Sequence, residues 1–263
     1  MEHITSRQNA HFKQARKLAE SARERNKTQQ ILMDGTRLVR AYADQFGLEQ
    51  ATLLISVEGA DRADVQQILQ SGSPRHAYLL AEELFAEITQ VETPEGITAI
   101  AGIPRVESKS PDDFRILLDG IQDPGNLGGL LRTAAAAGAT SAHLTKGCAD
   151  PWSPKALRGG MGAQFILPLR ERVEPATALA GFRGVVMATS PHARKSIYEV
   201  DLSGPVAIIF GSEGRGLGED EQALATQLVH IPMAENVESL NVAAAAAVCC
   251  FERLRQASKK TSR

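Results

Sequence analysis

The chain is poor in the residues that staple small secreted proteins. Its 263 residues hold three cysteines, Cys148, Cys249 and Cys250. An odd count, two of them adjacent in an apolar stretch and none in a CxxC pair, supports neither a disulfide framework nor a zinc site. Aromatic residues make up 5% of the chain, with a single tryptophan. No apolar run approaches the roughly 20 residues that span a bilayer. The opening MEHITSRQNAHFKQARK is polar and mixed in charge, without the apolar core of a signal peptide. The expectation is a cytoplasmic protein with no membrane partner. Charge of one sign is also missing: 29 Lys and Arg stand against 31 Asp and Glu, a net charge of −2. Charged residues at 23% and hydrophobic ones at 43% are ordinary for a folded chain and exclude global disorder.

The neutral total hides an uneven distribution. Residues 1–40 carry nine basic and four acidic side chains, and residues 41–110 carry four and eleven. The remainder is balanced at sixteen of each, but five of its basic residues, Arg253, Arg255, Lys259, Lys260 and Arg263, follow Glu252. Both ends are basic around a neutral-to-acidic middle. A solvated helix face produces such a pattern, and so does nucleic-acid binding.

Short apolar runs alternate with helical patterns throughout, which describes an α/β protein. Residues 11–30 read as one exposed helix with few large apolar side chains. ILMDG, ATLLISV, AYLL and GITAIAGI read as strands, with helices over TRLVRAYADQ, 61–70 and AEELFAEIT. PRVESKSPDDF reads as a linker. Two domains are expected, 1–107 and 113–263. In the second, RILLDG, SAHLT, QFILPL, GVVMATS and PVAIIFGSEG read as strands. GNLGGLLRTAAAAGA, KALRGG and NVAAAAAVCCFERLRQ read as helical.

Three polar or glycine-rich segments sit at strand ends or helix entrances: 119–132, 211–218 and 231–241. Ligands of open α/β sheets bind beyond the carboxyl ends of strands. In the first segment Pro124 and Gly125 turn the chain, Asn126 suits a helix N-cap, and Arg132 lies among small and apolar neighbours. A charge there is costly unless paired or facing a cleft. The second segment spaces Gly214, Gly216 and Gly218 as GxGxG with Glu213 inside the turn. This is neither the dinucleotide fingerprint nor GxxxxGK[ST], so a nicotinamide enzyme and a P-loop are both disfavoured. In the third, Ser239 and Asn241 flank Leu240 before five consecutive alanines, a composition for close helix packing.

Together, DPGNLGGLLRTA, FGSEGRGL and IPMAENVESLNVAAA closely resemble the three motifs of the SpoU/TrmH family. These are S-adenosylmethionine-dependent RNA ribose 2′-O-methyltransferases of the SPOUT class. SPKALRGGMGAQFILPL resembles the segment between the first two motifs, and the likeness covers roughly 111–252. ITSRQNAHFKQARKLAESARERNKTQQILMDGTRLV is more weakly similar to the L30e/L7Ae-like substrate-binding domain of ribosomal RNA members. The resemblance implies a small L30e-like α/β domain followed by a trefoil-knotted SPOUT domain with a largely parallel sheet. It implies a homodimer in which Arg132 reaches toward the other subunit's cofactor. S-adenosylmethionine would lie against Thr189, Ser190, Gly211, Ser212, Gly214, Ile231, Met233 and Leu240, with no metal. Arg132, Asn126, Glu213, Ser239 and Asn241 would form the catalytic set, Arg132 binding the substrate phosphate and helping the ribose proton leave. The sequence departs from the family pattern at Glu235, where glycine is usual, at Ser212, where asparagine is common, and at Ala243, where serine is frequent. Ribosomal RNA is favoured over transfer RNA because of the N-terminal domain. A binding module without catalysis is the alternative of another class. From charge alone, RNA is expected against residues 1–40 and Arg132, leaving 41–110 largely untouched.

Overall fold

The structure is a computed structural model that describes residues 1–108, 111–212, 214–237 and 239–261. The chain divides into two compact units, Met1–Arg105 with Asp150–Phe165, and Val106–Ala149 with Ile166–Arg263. The sequence places all of 113–263 in one domain. Instead, Asp150–Phe165 packs with the first unit, because its apolar and charged side chains find their partners there. Arg25 is buried and its Nε lies 2.7 Å from Asp150 Oδ2. Phe165 meets the Tyr42 ring edge-on at 5.4 Å.

The first unit is a five-stranded sheet of β1 (Glu2–Ile4), β2 (Gln30–Asp34), β3 (Thr52–Ser56), β4 (His76–Leu80) and β5 (Ile97–Gly102). Their order is β1-β4-β3-β5-β2, with β4 parallel to β1 and β3, and β5 antiparallel to β3 and β2. Residues 11–30 are not one exposed helix. Ser21 ends Ala10–Glu20 and caps Ala22–Thr28, its hydroxyl accepting from the Glu24 N–H. Phe12, Ala15, Leu18 and Ala19 are buried against Leu32, Leu54, Leu80 and Phe85, so small alanines complete an apolar stripe that large residues alone do not reveal.

The second unit is a seven-stranded sheet. Its strands are β6 (Phe114–Leu118), β7 (Ser141–Leu144), β8 (Leu169–Arg170), β9 (Val185–Thr189), β10 (Lys195–Ser196), β11 (Val206–Phe210) and β12 (Gln227–His230). The order is β10-β12-β9-β11-β6-β7-β8, and every pairing is parallel. VAIIF of β11 is buried at every position, as expected of a parallel strand covered on both faces. QFILPL is not a strand. Ala163–Phe165 forms a 3-10 turn held by the buried Gln164 amide, which donates to Pro151 O (3.1 Å) and Ala156 O (3.0 Å). Pro168 lacks an N–H, and pairing with β7 begins only at Leu169. Strand β12, short and half-buried, escapes the sequence reading. Among the described residues no helix is long and apolar enough to cross a membrane.

Candidate active site

The helix Pro124–Ala136 begins just beyond β6, and its cap is Asp123 rather than Asn126. Asp123 Oδ1 accepts the Asn126 N–H at 2.8 Å, and Pro124 at the first helical position sets φ. Asn126 therefore stands in the first turn with its side chain turned to other use. Its Oδ1 accepts from Asn241 Nδ2 at 3.1 Å. Asn241 Oδ1 in turn accepts the Ala243 N–H at 2.9 Å, capping the helix Val242–Thr261. One amide thus secures a helix entrance and links the first segment to the third. Close approach of the two helices underlies this: a Cβ built on Gly129 would lie 3.7 Å from Ala243 Cβ, and Ala134 and Ala246 are buried.

The second segment folds back on itself. Ser212 and Gly216 form an antiparallel bridge, with Gly216 N–H donating to Ser212 O at 2.9 Å. A Cβ on Gly211 would stand 2.4 Å from Gly216 O and 2.7 Å from Leu217 N, so only glycine fits this turn.

The ends of β9, β11 and β12 and the third segment enclose a cavity of about 480 Å3. Of the expected cofactor residues it brings together Thr189, Ser190, Gly211, Ser212, Ile231, Met233 and Leu240, and of the expected catalytic set Ser239 and Asn241. Its described lining holds no Lys, Arg, Asp or Glu. His230 closes one side, its Nδ1 2.9 Å from Ala193 O, a contact that requires Nδ1–H. At the mouth Met233, Val237 and Leu240 leave 39%, 49% and 39% of their surface exposed, an apolar rim of the kind that marks a binding site. Phe210, Leu217, His230 and Val237 were missed from the sequence; the only signal for them was their place beside the motif residues.

A second cavity of about 950 Å3 adjoins the first through Ser212. Asn126 and Gly214 line this one, together with Lys146, Arg215 and Asp119. Arg132 is exposed, lines neither cavity and makes no hydrogen bond or ion pair among the described residues. Glu213 lies outside the described residues. Among the described residues, no group of three or more His, Cys, Asp or Glu is placed to hold a metal.

The SpoU rRNA Methylase family model matches residues 113–251. The model of the MRM3-like substrate binding domain matches residues 9–99. An uncharacterized tRNA/rRNA methyltransferase of Synechocystis is 36% identical over 264 residues, 96% of this chain and 93% of that protein. The 23S rRNA (guanosine(2553)-2′-O)-methyltransferase RlmP of Bacillus subtilis is 32% identical over 95% of this chain and 98% of its own length. Among solved structures, the SpoU methyltransferase AviRb of Streptomyces viridochromogenes in complex with AdoMet superposes with a TM-score of 0.84. It is 27% identical, over 95% of this chain and 98% of that one. With the second and third motif segments meeting in one cavity, the first tied to them by the Asn126–Asn241 bond, and a family match over more than half its length, the chain belongs to the SpoU rRNA methylase family.

Proposed function

We propose that the chain is an S-adenosylmethionine-dependent ribose 2′-O-methyltransferase acting on 23S ribosomal RNA, a cytoplasmic homodimer with a trefoil-knotted catalytic unit. The observation that carries this reading is the 480 Å3 cavity in which the second and third motif segments meet, tied to the first motif by the Asn126–Asn241 bond.

The residues present fit the cofactor. The volume lies within the roughly 300–1,000 Å3 of small-molecule sites. Leu217, Ile231, Val237 and Leu240 offer apolar walls to a flat base, and Ser190, Ser212 and Asn241 offer hydroxyls and an amide to its polar ends. Gly211 keeps the backbone bare where a side chain would clash. No cationic Lys or Arg in the described lining repels a sulfonium. When bound, the cofactor supplies a methyl group already activated by the positive charge on its sulfur.

What remains for the protein is to orient a poor nucleophile and give its proton a way out. Asn126 faces the second cavity while bonded to Asn241 in the first, so the pair holds the ribose at the junction marked by Ser212. Arginine stays protonated at neutral pH and cannot act as a base. Arg132 therefore binds the phosphate beside the target ribose and stabilises the oxygen as its proton passes to solvent. Its position outside both cavities of its own chain supports action on the partner subunit's site, hence the homodimer.

Incubation with methyl-labelled S-adenosylmethionine and total RNA, followed by mapping of ribose methylation, tests the proposal. Label in 23S ribosomal RNA is expected. Label confined to transfer RNA overturns the substrate, and absence of both label and cofactor binding by calorimetry leaves a binding module.

A further inference from the structure

Strand β6 ends at Leu118, and Asp119 follows it with its backbone held on the neighbouring strand. Its N–H donates to Phe210 O of β11 at 2.8 Å. The next residue, Gly120, donates its N–H to Thr145 Oγ1 at 3.1 Å. A Cβ built on Gly120 would lie 3.7 Å from Ser212 Cβ. Asp119 is therefore pinned at the end of the sheet beside Ser212, the residue at which the two cavities meet. Its half-buried side chain lines the 950 Å3 cavity. It makes no hydrogen bond or ion pair among the described residues, and both carboxylate oxygens stay accessible.

The other charged residues described in that lining are committed or unsuited. Asp123 caps the helix Pro124–Ala136, accepting the Asn126 N–H at 2.8 Å. Glu174 faces Lys146 at 3.0 Å. Glu221, in the helix Glu219–Ala223, folds back on Gly218, where a Cβ would stand 2.5 Å from its Oε2. Arg215 stays protonated and takes up no proton. Asp119 thus joins a free carboxylate to a place beside Ser212. A carboxylate is a weak base, but the reaction asks for no more. The ribose hydroxyl holds its proton until its oxygen begins to bond carbon. That oxygen then gains positive charge, the proton becomes strongly acidic, and a positioned carboxylate suffices to take it.

We infer that Asp119 is the proton acceptor of the methyl transfer. The 2′-oxygen forms its bond to the methyl carbon, and the carbon–sulfur bond breaks with its electron pair passing to sulfur. The 2′-hydroxyl proton goes to the Asp119 carboxylate and from there to solvent. The inference rests on the methyltransferase reading above and deepens it: Arg132 and Asn126 bind and orient, while Asp119 gives the proton its way out.

The test uses the full chain and an RNA fragment that carries its mapped target nucleotide. Asp119→Asn is expected to lose at least about 100-fold in kcat. Its KM for RNA, its calorimetric affinity for S-adenosylmethionine and its unfolding midpoint should stay near the wild-type values, which separates lost chemistry from lost binding or folding. The residual rate should rise about tenfold per pH unit above neutrality, as hydroxide replaces the carboxylate, while the wild-type rate stays level. Binding without cofactor gives an independent readout. Replacing the target ribose by 2′-deoxyribose is expected to weaken binding to the wild type about fivefold and to leave Asp119→Ala unaffected. Full-rate transfer by Asp119→Asn, a pH slope equal to that of the wild type, or an equal deoxyribose penalty in Asp119→Ala overturns the assignment. Absence of methyl transfer by the wild type overturns the functional reading itself, so the two failures are told apart.

Discussion

Asp123 and Asn126 stand three residues apart and have opposite jobs. The carboxylate of Asp123 holds the helix start, while the amide of Asn126 reaches Asn241 in the third segment. Asp123→Ala is expected to cost about 1 kcal/mol in chemical unfolding, the usual worth of an N-cap. Asn126→Ala is expected to leave stability nearly unchanged and to lower methyl transfer, measured as initial rate at saturating cofactor. His143 is the other residue with a measurable signature. It is buried on β7 with neither ring nitrogen bonded among the described residues. Burial first, then the nearby positive charges of Arg115 and Arg170, push its pKa down to about 4. The unfolded chain takes up a proton near the ordinary value of 6.5, and the folded chain does not until about 4. Its contribution is therefore complete above pH 6.5 and is lost as pH falls toward 4, by roughly 3 kcal/mol at full titration. Urea unfolding at pH 7 and pH 4.5 should show a smaller acid loss in His143→Leu than in the wild type; equal losses would refute this role.

At the scale of elements, the strap Asp150–Phe165 leaves the second unit between β7 and β8 and is held by the first. Arg25 secures it from the helix Ala22–Thr28, bonding Asp150 (2.7 Å) and the Leu18 carbonyl (2.5 Å) while itself 4% exposed. Breaking a buried ion pair from one side leaves the other charge uncompensated, so Arg25→Ala is expected to destabilise by about 3 kcal/mol. Thermal unfolding would show it, and Asp150→Asn should be milder because an amide keeps an acceptor. None of this was legible in the sequence. Arg25 sits in a run of charged residues that reads as a solvated face, and its partner is 125 positions away. The strap itself carried a misleading signal, since QFILPL has the composition of a strand. What denies it that form is Gln164, whose amide is spent on two carbonyls of the strap.

For the whole molecule, the exposed Arg132, without a hydrogen bond or ion pair among the described residues, sets the decisive experiment. If it serves the partner's site, Arg132→Ala and Gly211→Val, each expected to lose at least about 100-fold in rate, should recover activity when co-expressed, because one mixed site retains both residues. Failure of mixed dimers to recover, or a monomer by sedimentation, would place the arginine within its own chain's site. The sequence by itself determined the α/β class, the strands β6, β7, β9 and β11, and the three segments that line the cavities. It could do so because apolar runs and glycine-rich strand ends are local in the chain and their chemistry is written in residue types. Tertiary structure alone decided that the Asn126 amide meets Asn241, and that the strap belongs with the first unit. It also decided that Asp34 and Arg158, more than a hundred residues apart, form an ion pair at 3.7 Å beside one small cavity. Those outcomes depend on which distant groups arrive first at a given donor or acceptor. That is a competition between contacts across the fold, and no window of neighbouring residues records it.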